Sequence, residues 1–199
     1  MNIDRKGMLL VISGPSGVGK GTVFNELLKS DPSFTFSTSV TTRAPRPGEI
    51  DGVHYFFITD EEYDRLIAED AFVEHAEVHG HRYGTLKSQV NKALEKGMSI
   101  VLDIDPQGAI NVMRACPDCV SVFILPPDME TLRRRLTGRG TETPEEIERR
   151  LGNARGEIEQ YGSYDYAIIN DDLNEACKQL KTIIAAEKQR TVRFIPDIQ

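Results

Sequence analysis

Positive charge is scarce in this chain. Its 24 Lys and Arg residues face 31 Asp and Glu, for a net charge of −7. No global basic field exists to hold nucleic acid, so an anion can be held only in a local arginine pocket. Cysteine is scarce too: Cys116, Cys119 and Cys177 do not make a disulfide framework. Cys116-Pro-Asp-Cys119 has no second such pair to complete a zinc site, so it reads as a turn before a strand, with reduced thiols. No apolar run approaches membrane-spanning length. The opening Met-Asn-Ile-Asp-Arg-Lys-Gly lacks the apolar stretch and cleavage site of a signal peptide. The expectation is a soluble cytoplasmic protein with no nucleic-acid or membrane partner. Low-complexity tracts and internal repeats are also missing, and 39% apolar content in 199 residues suffices for one core with smaller parts attached.

Apolar runs of strand length do occur, alternating with helical patterns. Met8–Ile12, Ile100–Leu102, Val120–Leu125 and Tyr166–Ile169 read as strands buried on both faces of a parallel sheet. Val23, Phe24, Leu27 and Leu28 mark one amphipathic helix; Leu173, Ala176, Leu180, Ile183 and Ile184 mark another. The fold class is α/β, with helices flanking a parallel sheet and ligands beyond its carboxyl edge. Two stretches break the rhythm. Residues 34–96 read as a mixed insertion, with strands near Tyr55–Phe57 and Phe72–Val78, a turn at Gly80 and a helix over Leu86–Leu94. Residues 128–160 read as two helices, the second striped by Ile147, Leu151, Ala154 and Ile158.

The strand Met8–Ile12 runs into Gly14-Pro15-Ser16-Gly17-Val18-Gly19-Lys20-Gly21-Thr22. Glycines let backbone N–H groups turn inward on an anion, and the following helix presents its positive end to the same place. Lys20 adds a mobile charge for the outer phosphates of a nucleoside triphosphate. Gly21 stands where this motif usually has Ser or Thr. Mg²⁺ is therefore expected through phosphate oxygens and water rather than through a direct protein ligand.

Apart from Lys87, Lys92 and Lys96 at the end of the first, the cations of the two insertions, His aside, are arginines. Between Phe34 and Leu86 they are Arg43, Arg46, Arg65 and Arg82; between Asp128 and Gln160 there are seven arginines and no lysine. Arginine suits bidentate contact with phosphate, although ion pairing with nearby Glu residues explains any single one equally well. The strand ending in Asp103 supplies a carboxylate near a phosphate-bound metal or Lys20. Asp105 either faces an acceptor or caps the helix opened by Pro106-Gln107-Gly108. His75, His79 and His81 do not make a full ligand set for zinc.

Several separated motifs, in order, make the chain resemble guanylate kinases from about Met8 to Glu187. They are the glycine loop, Ser37–Glu49 with Arg43 and Arg46, Gly52–Phe57, Phe72-Val-Glu74, Tyr83-Gly-Thr85, Leu102–Gly108, Gly138–Glu142 and Ile169–Asp172. The resemblance implies transfer of a phosphoryl group from ATP to GMP with Mg²⁺. It implies a core made of residues 1–33, 97–127 and 161–199, a GMP-binding insertion at 34–96, and a lid at 128–160. Carried over, Arg43, Arg46, Tyr55 and Tyr83 would hold the GMP phosphate, and Ser39, Glu74, Thr85 and Asp105 would surround guanine. Lys20, Arg139 and Arg150 would neutralise the transferring group, with Asn170, Asp171 and Arg139 near the ATP base. One carboxylate can accept from both N1–H and the 2-amino group of guanine, whereas adenine offers it an acceptor at N1. The loop spelling Gly-Lys-Gly-Thr resembles adenylate kinases, so a kinase of AMP or of a sugar phosphate remains open, as does a non-catalytic interaction domain of similar fold.

Overall fold

The structure, a computed structural model, describes residues 3–78, 80–138 and 143–196. The chain begins with strands β1 (Ile3–Arg5) and β2 (Leu9–Ser13), helix α1 (Lys20–Ser30), and strands β3 (Phe34–Phe36), β4 (Val40–Thr41) and β5 (Phe56–Phe57). Then come α2 (Asp60–Ala68), β6 (Phe72–Val78), β7 (His81–Leu86), α3 (Lys87–Glu95), β8 (Ser99–Asp103) and α4 (Pro106–Ala115). The last third holds β9 (Val120–Leu125), α5 (Met129–Thr137), α6 (Pro144–Ile158), β10 (Tyr166–Ile169), α7 (Leu173–Glu187) and β11 (Phe194–Pro196).

The main sheet is parallel, in the order β10-β9-β2-β8-β3. Its central strand β2 is buried at every residue, and so is β9 up to Ile124, as a strand covered on both faces requires. One face packs Leu10, Ile12 and Val122 against α1, α6 and α7; the other packs Val11, Leu102 and Phe123 against α3 and α4. A separate mixed sheet, β5-β4-β7-β6, has its own small core of Val40, Tyr63 and Phe72.

Two expectations are corrected. Strand β10 lies at the sheet edge with Ala167 and Ile169 exposed, so it is not buried on both faces. Helix α2 was not expected at all. Thr59 caps it by accepting from the Glu62 N–H, and three acids fill its first turn, but only Tyr63 is buried. A stripe that thin leaves no helical period to read. The Cys116–Cys119 segment forms a tight turn, with the Cys119 N–H donating to the Cys116 carbonyl at 2.9 Å and both thiols free.

Candidate active site

The glycine loop leaves the carboxyl end of β2 and is braced from behind. Gly14 sits at φ +144°, and a Cβ there would lie 2.3 Å from the Ile124 carbonyl oxygen, so only glycine lets the loop cross β9 this closely. The Val18 side chain is fully buried, while its carbonyl accepts from Asn170 Nδ2 at 2.8 Å and from Arg135 Nη1 at 3.2 Å. Helix α1 has no side-chain cap and no acid in its first turn, so its positive end is left for an anion. Lys20 folds back over the loop, its Nζ donating to the carbonyls of Gly14 at 2.8 Å and Pro15 at 3.4 Å.

In front of the loop lies a groove of about 450 Å³. It is bordered on one side by Ser16, Gly17, Gly19, Lys20, Gly21 and Thr22, and on the other by Ser39, Arg46, Tyr55, Glu74, Tyr83 and Asp105. Asp103, Arg150 and Glu157 lie between them. A larger cavity, of about 570 Å³, opens near Met8, Leu9 and Cys119 at the opposite, amino end of the sheet and includes no loop residue. The loop donors and charged side chains converge on the smaller groove, which makes it the candidate site.

Glu74 is 6% exposed on β6, and Thr85 faces it across the β6–β7 ladder. Thr85 Oγ1 donates to Glu74 Oε1 at 2.9 Å. Burial pushes the Glu74 carboxyl up to about 7, with the nearby Asp105 charge adding to the shift and the Thr85 hydrogen bond opposing it. Asp105 takes the capping role, its carboxylate accepting from the Gln107 and Gly108 N–H groups at the start of α4. That cap sets α4 against Glu74 so closely that a Cβ on Gly108 would be 2.7 Å from Glu74 Oε2.

Arg43 is almost buried. Its guanidinium donates to the Ala44 carbonyl at 2.7 Å and to Glu49 Oε1 at 2.8 Å, and it lies over the Tyr55 ring. The other Glu49 oxygen accepts from the Arg46 N–H at 2.7 Å, so one carboxylate orients both arginine positions. The ring of Tyr55 meets Tyr83 edge-on at 5.9 Å. Asp103 ends β8 at the groove floor. Enclosure by protein pushes its carboxyl up, while the Lys20 charge opposes that shift.

Some sequence candidates stand elsewhere than in the groove. Asn170 is 5% exposed, with its amide turned to the Val18 carbonyl rather than to the groove. Asp171 is exposed, and its carbonyl accepts from Arg135 Nη2 at 3.5 Å. Arg139 and His79 lie outside the described residues. Three residues at or behind the groove were not singled out as site candidates in the sequence: Glu49, Arg135 and Glu157. Glu157 was legible in principle, because it stands seven residues after Arg150 and thus on the same face of α6.

Comparison with known proteins adds independent information. The family model for guanylate kinase matches residues 6–187. The chain is 52% identical over 188 residues to the guanylate kinase of Symbiobacterium thermophilum, covering 94% of this chain and 89% of that one. It is 46% identical over 190 residues to the guanylate kinase of Clostridioides difficile, covering 96% and 93%. Among solved structures, the guanylate kinase of Anaplasma phagocytophilum superposes with a TM-score of 0.81 at 38% identity, covering 97% of this chain and 92% of that one.

Proposed function

Since the chain belongs to the guanylate kinase family, nucleoside monophosphate kinases that move the γ-phosphoryl group of ATP to GMP, we propose that the two walls of its groove divide that reaction between them. The glycine loop, Gly14 to Thr22, holds the triphosphate, and the Glu74 wall holds GMP. The observation that carries this division is the buried Glu74 carboxyl, hydrogen-bonded to Thr85 and facing the loop across one groove.

Guanine presents two adjacent donors, and the ionised Glu74 accepts both, with Ser39, Thr85 and Asp105 around the base. Adenine offers no such pair and sets an acceptor at N1 against the buried Glu74 carboxylate. Arg43, Arg46, Tyr55 and Tyr83 grip the GMP phosphate. Glu49 and the Tyr55 ring preset the Arg43 guanidinium, so little side-chain freedom is lost on binding. The GMP phosphate oxygen is already anionic near neutral pH, so the attack needs alignment and charge neutralisation rather than a general base. Lys20 and Arg150 carry that neutralisation, joined by Arg139. Asn170 and Arg135 hold the loop in shape from behind by donating to Val18, with Asp171 beside the ATP base.

The residues fit a Mg²⁺ ion carried by the nucleotide. Among the described residues no group of three His, Cys, Asp or Glu side chains could hold a metal. A single strand-end carboxylate, Asp103, stands near Lys20. That set suits an ion that keeps its waters and binds mainly through phosphates. When bound, Mg²⁺ would neutralise phosphate charge, with Asp103 accepting from its waters. In this reading residues 34–96 form the GMP-binding part, 128–160 the lid, and the remainder the core, in a cytoplasmic enzyme.

The test is a comparison of GMP, AMP and UMP as acceptors, with ATP held constant. GMP is expected to lead by orders of magnitude in kcat/KM; AMP turnover equal to or better than GMP turnover would overturn the assignment of the Glu74 wall.

A further inference from the structure

The larger cavity, at the amino end of the main sheet, has no part in phosphoryl transfer, yet Cys116 and Cys119 both border it. Cys116 follows the last turn of α4, its N–H donating to the Val112 carbonyl at 2.7 Å. Cys119 precedes β9, and its N–H donates to the Cys116 carbonyl at 2.9 Å. A hydrogen-bonded turn of this kind holds its end Cα atoms under about 7 Å apart, and a disulfide spans about 4.4–6.8 Å. The spacing therefore allows the two sulfurs to be joined with α4 and β9 in place. The frame is firm on both sides: Val112 and Val120 are buried, and the buried Arg193 donates from Nη2 to the Asp118 carbonyl inside the turn at 2.6 Å.

The two thiols differ in access. Cys116 is half-buried, whereas Cys119 is 8% exposed. Burial pushes the Cys119 thiol up to about 12, and it pushes the Cys116 thiol up as well, where the Lys87 charge opposes it. The pair follows the negative end of α4, which also disfavours a thiolate, so it lacks the acidic thiol of a fast oxidoreductase. Cys119 belongs to the core cluster on the α3–α4 face of the sheet, with Cys116 packed against it; Cys177 packs against the cluster on the other face.

We propose that Cys116 and Cys119 are a redox modification site: they close a reversible disulfide by exchange with a small disulfide that enters the amino-end cavity. The Cys116 thiolate attacks one sulfur of the small disulfide, whose S–S bond breaks as one small thiolate leaves. Cys119 then gives up its proton, attacks the Cys116 sulfur of the mixed disulfide and expels the second small thiolate. Each leaving thiolate takes up the proton its attacker released. Two protein thiols are oxidised, and one small disulfide is reduced to two thiols. The mixed disulfide is short-lived because the second sulfur is held in the same turn. The groove lies at the opposite end of the sheet, so closure leaves GMP phosphorylation unchanged.

Full-length wild type and Cys177→Ser are equilibrated at pH 8 with oxidised and reduced glutathione, folded and in urea, then acid-quenched and read by peptide mass spectrometry. Both folded proteins are expected to lose two hydrogens at a Cys116–Cys119 link that dithiothreitol reverses. The link should persist in a glutathione buffer at least about tenfold more reducing than it tolerates in urea, because the fold already sets the turn. Cys119→Ser should stop at a glutathione adduct on Cys116, and Cys116→Ser should react at least about tenfold more slowly, since Cys119 is buried. The kcat/KM of the oxidised protein for GMP should stay within about twofold of the reduced value. A lasting glutathione adduct on Cys116 with Cys119 present would overturn the proposal. So would a link that forms equally well or better in urea, or oxidation that cuts GMP turnover beyond that range.

Discussion

Replacing Glu74 by Gln should stabilise the folded protein at pH 8 while crippling its use of GMP. The carboxyl is 6% exposed, and burial raises its pKa from the ordinary 4.5 to about 7. Between those values the folded protein keeps a proton that the unfolded chain has released. Stability from this group is therefore complete below pH 4.5 and is lost as pH rises towards 7. A shift of that size corresponds to about 3 kcal/mol once Glu74 is fully ionised, at 1.36 kcal/mol per pKa unit. Gln keeps the volume and the acceptor for Thr85 Oγ1 and never ionises. It should recover about 1–3 kcal/mol at pH 8, or several degrees in melting temperature for a chain of this size. The advantage should shrink at pH 5.5, where wild-type Glu74 is already mostly protonated. Catalysis moves the other way. Gln offers guanine one acceptor, and its NH₂ opposes the second guanine donor. An unpaired donor and a lost charge-assisted bond together cost about 3 kcal/mol, or about 100-fold in kcat/KM for GMP. Thermal melts of both proteins at pH 5.5 and 8, with steady-state kinetics on GMP, measure both effects. A Gln variant that melts below wild type at pH 8, or that keeps wild-type kcat/KM for GMP, would refute the reasoning.

Two further substitutions probe the walls separately. Lys20→Ala should lower kcat by at least about 100-fold, because a charge aimed at the transferring group is removed. Its melting temperature should hold, since among the described residues the hydrogen bonds of Lys20 Nζ go to loop carbonyls; coupled ADP release and circular dichroism read the two. Gly108→Ala places a Cβ 2.7 Å from Glu74 Oε2 and 3.0 Å from Asp105 Oδ1, so the KM for GMP should rise about tenfold with the KM for ATP unchanged. Alanine favours helix over glycine, so a large fall in melting temperature would show that the clash acts on the fold rather than on the site.

The glycine loop and its charge were legible in the sequence because strand, loop and helix are contiguous, and the motif's chemistry is carried by backbone N–H groups and one lysine. The parallel sheet was legible for a similar reason, as two-sided burial writes an unbroken apolar run into β2 and β9. The reading failed at a helix with one buried residue and at an edge strand. Tyr63 is the one buried residue of α2, and β10 looks like a central strand until its place at the sheet edge is known.

Other features were decided only when distant segments met. The β6–β7 register sets Thr85 opposite Glu74, and the Asp105 cap brings α4 against the same carboxyl. The rise in the Glu74 pKa comes from that enclosure, because desolvation depends on what surrounds a charge and not on its neighbours in sequence. Asn170 turns from the groove to the Val18 carbonyl 152 residues away, and Arg150 meets Ser16 only because α6 packs on the core. The sequence by itself thus determined the glycine loop, the sheet's central strands and the residue types available to the groove. The tertiary structure decided which of those side chains face the groove, which brace it and which carboxyl is forced towards neutrality, since hydrogen-bond geometry and desolvation are properties of assembled surroundings.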